Sequence, residues 1–178
     1  MSVGLLRGKV VLEEHQEEWE IVAKETISVL NILLKDIAIG IEHIGSTSIK
    51  GIYAKPIIDI VIGVKRFEDI LAKNDILEKS GFYFRGQDHP DQYLYICGED
   101  DFITHHIHVT IYDSKTWNDY INMRDYLIAH KEDAERYSSL KMALSEKYKD
   151  DRKTYTAKKS EMINEILLKA SIWRKENK

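Results

Sequence analysis

Hydrophobic spacing divides the 178-residue chain into two unlike parts. Val10-Val11-Leu12 is a short strand candidate. From Glu17 to about Lys35, apolar positions fall at Trp19, Ile21, Val22, Ile27, Leu30, Leu33 and Leu34, the spacing of an amphipathic helix. Ile37 to Ile44 reads as a strand containing Gly40. Pro56 to Val64 is almost wholly apolar, as in a central strand covered on both faces. Phe67 to Lys79 is helical, with Gly81 as its C-terminal cap. Phe82–Arg85 and Gln92–Cys97 are strand candidates around a Gly-Gln-Asp-His-Pro turn, and Thr104–Tyr112 is a further strand. From Thr116 the pattern is helical to the end, with breaks expected near His130 and near Asp150-Asp151. The expected architecture is one α/β domain: a mixed sheet flanked by helices, with a helical C-terminal segment over about 116–178.

A chain of this length buries enough surface to fold without staples. The single cysteine, Cys97, excludes an internal disulfide. The opening Met1–Arg7 has too few apolar residues for a signal sequence, so a reducing cytoplasmic setting is expected. No run of about 18 apolar residues predicts a membrane span. The net charge of -4 is unevenly spread: from Arg124 onward there are 14 Lys and Arg against 10 Asp and Glu. That balance fits either a solvated basic surface or attraction of an anionic ligand. The bases are interleaved with acids and no nucleic-acid motif is present, so no nucleic-acid partner is expected.

Within this frame one segment stands out. Gly45-Ser46-Thr47-Ser48 follows a strand directly, and small residues there let backbone N–H groups approach an anion. A capped helical turn explains the same residues, and the pattern is not that of a P-loop. About a dozen residues later, Asp59 interrupts a run of isoleucines and valines. A carboxylate in a core strand needs a cation, supplied by a base such as Lys55 or by a metal. In Thr104-His105-His106-Ile107-His108-Val109-Thr110, strand parity puts His106 and His108 on one face and His105 on the other. Such a pair suits a metal, a phosphate or proton transfer, or simple hydrogen bonding within a sheet. His108-Val109-Thr110 also matches a His-x-Thr phosphoesterase element, but no second copy exists. On the C-terminal helices, Arg124, Asp125, Lys141, Tyr155 and Lys158 are the charged and aromatic residues of interest. Arg124 and Asp125 are adjacent and do not share a helix face.

His43-Ile44-Gly45-Ser46-Thr47-Ser48, Lys55-Pro56-Ile57-Ile58-Asp59-Ile60, His106-Ile107-His108, Arg124-Asp125-Tyr126-Leu127 with Ala129-His130, Lys141 and the pair Tyr155 and Lys158 together resemble the GrpB family of small bacterial proteins. The resemblance runs from about Val10 to Ala170. That family is similar to the nucleotidyltransferase superfamily, with its polymerase-beta-like fold. The resemblance implies a Gly-Ser turn that holds triphosphate and strand carboxylates that hold divalent metal, Mg²⁺ or Mn²⁺. It implies transfer of a nucleotidyl or phosphoryl group to a small molecule, or binding of nucleotide without catalysis. The residues it implicates in chemistry are Asp59, as metal ligand, with His106 and His108. For substrate binding they are His43, Gly45, Ser46, Thr47, Ser48, Lys55, Arg124, Lys141, Tyr155 and Lys158. Fusion of family members to dephospho-coenzyme A kinase implies a nucleotide or coenzyme-like partner. Three departures stand out, two from the superfamily pattern and one from the family's own. Val61 takes the place of the second carboxylate, His106 and His108 stand where a third would be, and Lys50 replaces the usual proline before Gly51. Asp59, His106, His108 and the Ser46 hydroxyl are expected to face one cavity, with Arg124, Lys141 or Lys158 at its rim.

Overall fold

A computed structural model describes residues 3–177. Its core is a six-stranded sheet in which β2 (Ala38–Ile44), β3 (Ile58–Val64), β6 (Phe102–Ile111), β5 (Gln92–Glu99) and β4 (Tyr83–His89) lie side by side in that order. A two-residue strand, β1 (Leu5–Leu6), pairs with the start of β6. Only β3 and β6 run parallel among these pairings, with Asp59 opposite His106 and Val61 opposite His108.

Parity along β3 separates two faces. Ile58, Ile60, Ile62 and Val64 pack with Trp19, Ala23 and Leu30 of α1 (Glu17–Leu33). Ile70 of α2 (Phe67–Leu71) and Leu77 of α3 (Asn74–Lys79) complete that layer. Three acids in the first turn of α1, Glu17, Glu18 and Glu20, complement its helix dipole. On the other face, Val61 packs with Ile44 and with Trp117 of α4 (Lys115–Ala129). Gly63 lets this happen: a Cβ there would lie 2.7 Å from Tyr112 and 2.9 Å from Trp117. Ser114 caps α4 by accepting the Trp117 N–H, which fixes the helix start over the sheet. Helices α5 (Lys131–Lys147) and α6 (Arg152–Glu176) stack on α4, burying Leu127, Ala134, Ile166 and Ala170 together.

Several sequence expectations change here. Val10–Leu12 is not a strand: Val10 is buried and its N–H donates to the Lys149 carbonyl, while Glu13 makes the isolated bridge to Ala54. Phe67–Lys79 is two helices, because the chain turns at Ala72-Lys73. Strand β4 runs on through Gly86, Gln87 and Asp88, so the hairpin turns at Pro90-Asp91 instead. No helix among the described residues is long and apolar enough to cross a membrane.

Candidate functional site

Strand β2 delivers the chain into a tight turn at its end. Gly45 has φ +70° and ψ -172°, a region open essentially to glycine. A Cβ on Gly45 would lie 2.6 Å from Asp59 Oδ2, so the missing side chain makes room for the carboxylate. A single 3₁₀ turn, Ser46–Ser48, follows. The Ser48 hydroxyl donates to the Gly45 carbonyl (2.6 Å) and closes the turn from within. His43 Nε2 and Thr47 Oγ1 lie 2.9 Å apart and brace it from behind. Burial, with Arg124 nearby, lowers the His43 pKa to about 4, so this imidazole is neutral at pH 7.

Asp59 points from β3 into the space below the turn. Its Oδ1 is 3.1 Å from His106 Nδ1 and 3.4 Å from His108 Nε2. Burial pushes the carboxyl pKa up, but the two imidazole contacts outweigh it and hold the group well below the usual carboxylate range. The three side chains present ligand atoms within 4.8 Å of one another. A carboxylate oxygen with two imidazole nitrogens is a donor set that suits divalent first-row metals. Of the two ions the resemblance implied, the nitrogens suit Mn²⁺ better than Mg²⁺, which prefers oxygen throughout. His105 faces away, toward Thr26 of α1 at 3.1 Å.

A cavity of about 380 Å³ opens on this cluster. Gly45, Ser46, Thr47, Lys55, Asp59, His106, His108, Arg124, Lys141 and Tyr155 all line it. Among the described lining residues Asp59 is the one carboxylate, against five cations: Lys55, Arg124, Lys141, Arg152 and Lys159. Lys141 is 2% exposed; its Nζ donates to Ser46 Oγ (2.8 Å) and to the Tyr53 carbonyl, over the Tyr137 ring. Burial, with Lys159 and Lys55 nearby, lowers its pKa well below the ordinary value. Lys55 and Lys159 flank Tyr155 at 5.9 and 4.7 Å from the ring centre. Burial, reinforced by Arg152, lowers both of their pKa values to about 8. Such lysines are poorly compensated charges, and an anionic ligand would relieve them.

The remaining sequence candidates fall elsewhere. Lys158 is exposed and does not line the cavity; its neighbour Lys159 does. His43 and Ser48 shape the turn from outside the cavity wall. Lys50 is a mostly exposed partner of Glu20 (3.3 Å) and lines a separate hollow. Arg124 reaches the cavity with its fork largely committed, to Glu42 (2.8 Å), the His43 carbonyl (3.0 Å) and Asp125 (2.8 Å). Although adjacent helix residues do not share a face, the long arginine folds back on its neighbour. Arg152, Lys159, Tyr120 and Tyr137 were missed. Helical spacing points to two of them, because Arg152 and Lys159 lie three residues before and four after Tyr155, on one face of α6.

Comparison with known proteins matches this arrangement to relatives along nearly its whole length. The model of the family "GrpB protein" matches residues 9–169. The glutamate-rich protein GrpB of Alkalihalophilus pseudofirmus is 35% identical over 176 residues, covering 93% of this chain and 98% of that protein. The crystal structure of the conserved protein GrpB from Enterococcus faecalis superposes with a TM-score of 0.85 at 28% identity, covering 92% of this chain and 99% of that one. The Cid1 poly(U) polymerase with MgGTP bound superposes at 0.50 and 10% identity, over 75% of this chain and 43% of the polymerase. The chain belongs to the GrpB family and has a nucleotidyltransferase-like fold.

Proposed function

We propose that this cavity binds the phosphates of a nucleotide or coenzyme-like small molecule together with a divalent metal, and that it transfers a nucleotidyl or phosphoryl group. The observation that carries the reading is the charge pattern: five cations and one carboxylate around a glycine-serine turn. Ser46, oriented by Lys141, and the backbone of the turn would cradle a phosphate. Lys55, Arg152 and Lys159 would hold the rest of the phosphate chain. Asp59, supported by the imidazoles beside it, would hold the metal, which supplies Lewis-acid neutralisation of phosphate charge. Repulsion from the five cations weakens metal binding in the free protein, so bound phosphate tightens it.

A second reading, a nucleotide-binding module without turnover, is favoured by Val61. It is fully buried against Ile44 and Trp117, so β3 offers no second carboxylate two residues beyond Asp59. The test is a thermal-shift screen of nucleotides and coenzyme A precursors, with and without Mg²⁺ or Mn²⁺. A ligand present at ~100 times its dissociation constant adds ~2.7 kcal/mol of stability. No shift from any phosphate-bearing compound, with either metal, would remove the reading.

The lysines set a pH dependence. With pKa values near 8, Lys55 and Lys159 are cationic below that pH and neutral above it. Triphosphate affinity is therefore expected to be greatest below pH 8 and to weaken roughly tenfold toward pH 9.5, about one charge-assisted hydrogen bond. Calorimetric titration with a non-hydrolysable nucleotide across that range checks it; constant affinity to pH 9.5 would contradict it. At pH 7.5, Lys159→Met is expected to weaken the same titration about tenfold, whereas Lys158→Met leaves it unchanged. Equal losses in the two variants would place the anion elsewhere.

A further inference from the structure

Donor and acceptor accounting around Asp59 separates the two imidazoles. Arg152 Nη2 lies 3.4 Å from His106 Nε2, and arginine can only donate. In the neutral ring, His106 Nε2 is therefore the acceptor. Its Nδ1 carries the proton and donates to Asp59 Oδ1. This imidazole orients the carboxylate and has no lone pair aimed at it.

His108 is held differently. Its Nε2 lies 3.4 Å from Asp59 Oδ1, a contact bridged by an Nε2 proton without metal and by the ion when one is bound, and its Nδ1 lies 3.4 Å from the Tyr120 oxygen. The Tyr120 proton is already committed: it donates to Gln92 Oε1 at 2.6 Å. Gln92 is fixed in that orientation because its amide N–H₂ donates to both Asp88 oxygens, at 3.0 and 3.2 Å. Gln92 is 4% exposed. The Tyr120 oxygen is thus preset as an acceptor for an Nδ1–H. An imidazole that gives its Nδ1 proton to such an acceptor is free to offer Nε2 to a metal ion.

We infer that Tyr120, held by Gln92 and Asp88, is a positioning residue that makes His108 a nitrogen ligand. The site then takes a borderline divalent ion such as Zn²⁺ through Asp59 and His108 Nε2, in preference to Mg²⁺. His106 serves the same ion indirectly, by orienting Asp59. The inference rests on Asp59 as the metal-holding carboxylate. It can fail or stand apart from nucleotide binding, because its test uses the metal alone.

The full chain is titrated with Zn²⁺ in the absence of nucleotide, and the Zn²⁺-loaded protein is examined by long-range ¹H–¹⁵N NMR of the histidine rings. Loaded wild type is expected to show His108 protonated at Nδ1 with a metal-shifted Nε2, and excess Mg²⁺ should not displace the Zn²⁺. Tyr120→Phe, which keeps the ring and removes the acceptor, is expected to lose 10–100-fold in Zn²⁺ affinity, about the usual effect of removing an outer hydrogen-bond partner of a ligating histidine. Gln92→Met, which frees the Tyr120 proton to compete for Nδ1, should move affinity in the same direction. Circular dichroism and melting curves establish that each variant is folded. His106→Asn, whose amide nitrogen takes the place of Nδ1, still donates to Asp59 and should bind Zn²⁺ more tightly than His108→Gln, which has lost the ligating nitrogen. Unaltered Zn²⁺ affinity in folded Tyr120→Phe would overturn the proposal. So would a His108 proton on Nε2 in the loaded protein, equal losses at the two histidines, or ready displacement by Mg²⁺.

Discussion

Asp59→Asn is expected to abolish metal-dependent turnover while leaving the fold in place. The substitution hardly changes side-chain volume, and the amide oxygen can still accept from His106. It removes the negative charge that anchors a cation. Loss of a bound metal's contribution, several kcal/mol at the transition state, lowers turnover about a thousandfold. The measurement is release of pyrophosphate or phosphate from a panel of nucleoside triphosphates, with Mg²⁺ or Mn²⁺, by wild type and variant. Should wild type release neither yet bind nucleotide, and Asp59→Asn bind it equally well without metal, the transferase reading fails and the binding module stands.

Gly45→Ala is expected to destabilise the protein strongly and to disturb the Asp59 carboxylate. Two effects add. The backbone sits at φ +70° and ψ -172°, where a residue with a Cβ is strained by about 1–3 kcal/mol. The new methyl would also lie 2.6 Å from Asp59 Oδ2. Either the turn opens or the carboxylate swings off His106 and His108. A total of about 3 kcal/mol by denaturant titration is expected, together with loss of phosphate-ligand binding. Gly81→Ala is the control: it shares a positive φ of +88° but has open space around it, so it carries the backbone strain without the collision. Equal destabilisation of the two variants would show that the contact with Asp59 contributes nothing.

What could be read in the sequence followed from burial. The helix from Glu17 shows a clear stripe because one face packs on the sheet, and β3 reads as apolar because it is covered on both sides. The C-terminal breaks near His130 and Asp150 coincide with helix ends. Where apolarity did not mean strand, the reading failed. Val10 is apolar because it is buried beside the link between α5 and α6, with no ladder around it. The second half of β4 was missed for the opposite reason: Gln87, Asp88 and His89 lie exposed on an edge strand, where no buried face imposes alternation. The same limit applies at the cavity. Asp59 and the histidines were visible because a polar residue in a core strand demands a reason. Lys158 came from the resemblance; it and Lys159 lie three and four residues after Tyr155, and only the seven-residue spacing from Arg152 singles out Lys159.

The parallel pairing of β3 with β6 has a consequence for how the molecule is made. Asp59 and the imidazoles beside it are joined only after β4 and β5 have been synthesised between them, and non-local parallel pairing of this kind is slow. Four of the five cavity cations, Arg124, Lys141, Arg152 and Lys159, lie beyond β6 in the chain. Synthesis proceeds from the N-terminus, so the sheet and its carboxylate exist before the helices that bring positive charge. An unfinished chain therefore offers a half-site in which Asp59 meets Lys55 alone, without the positive excess of the finished one. The full positive lining of the cavity is complete only when the final helix has docked.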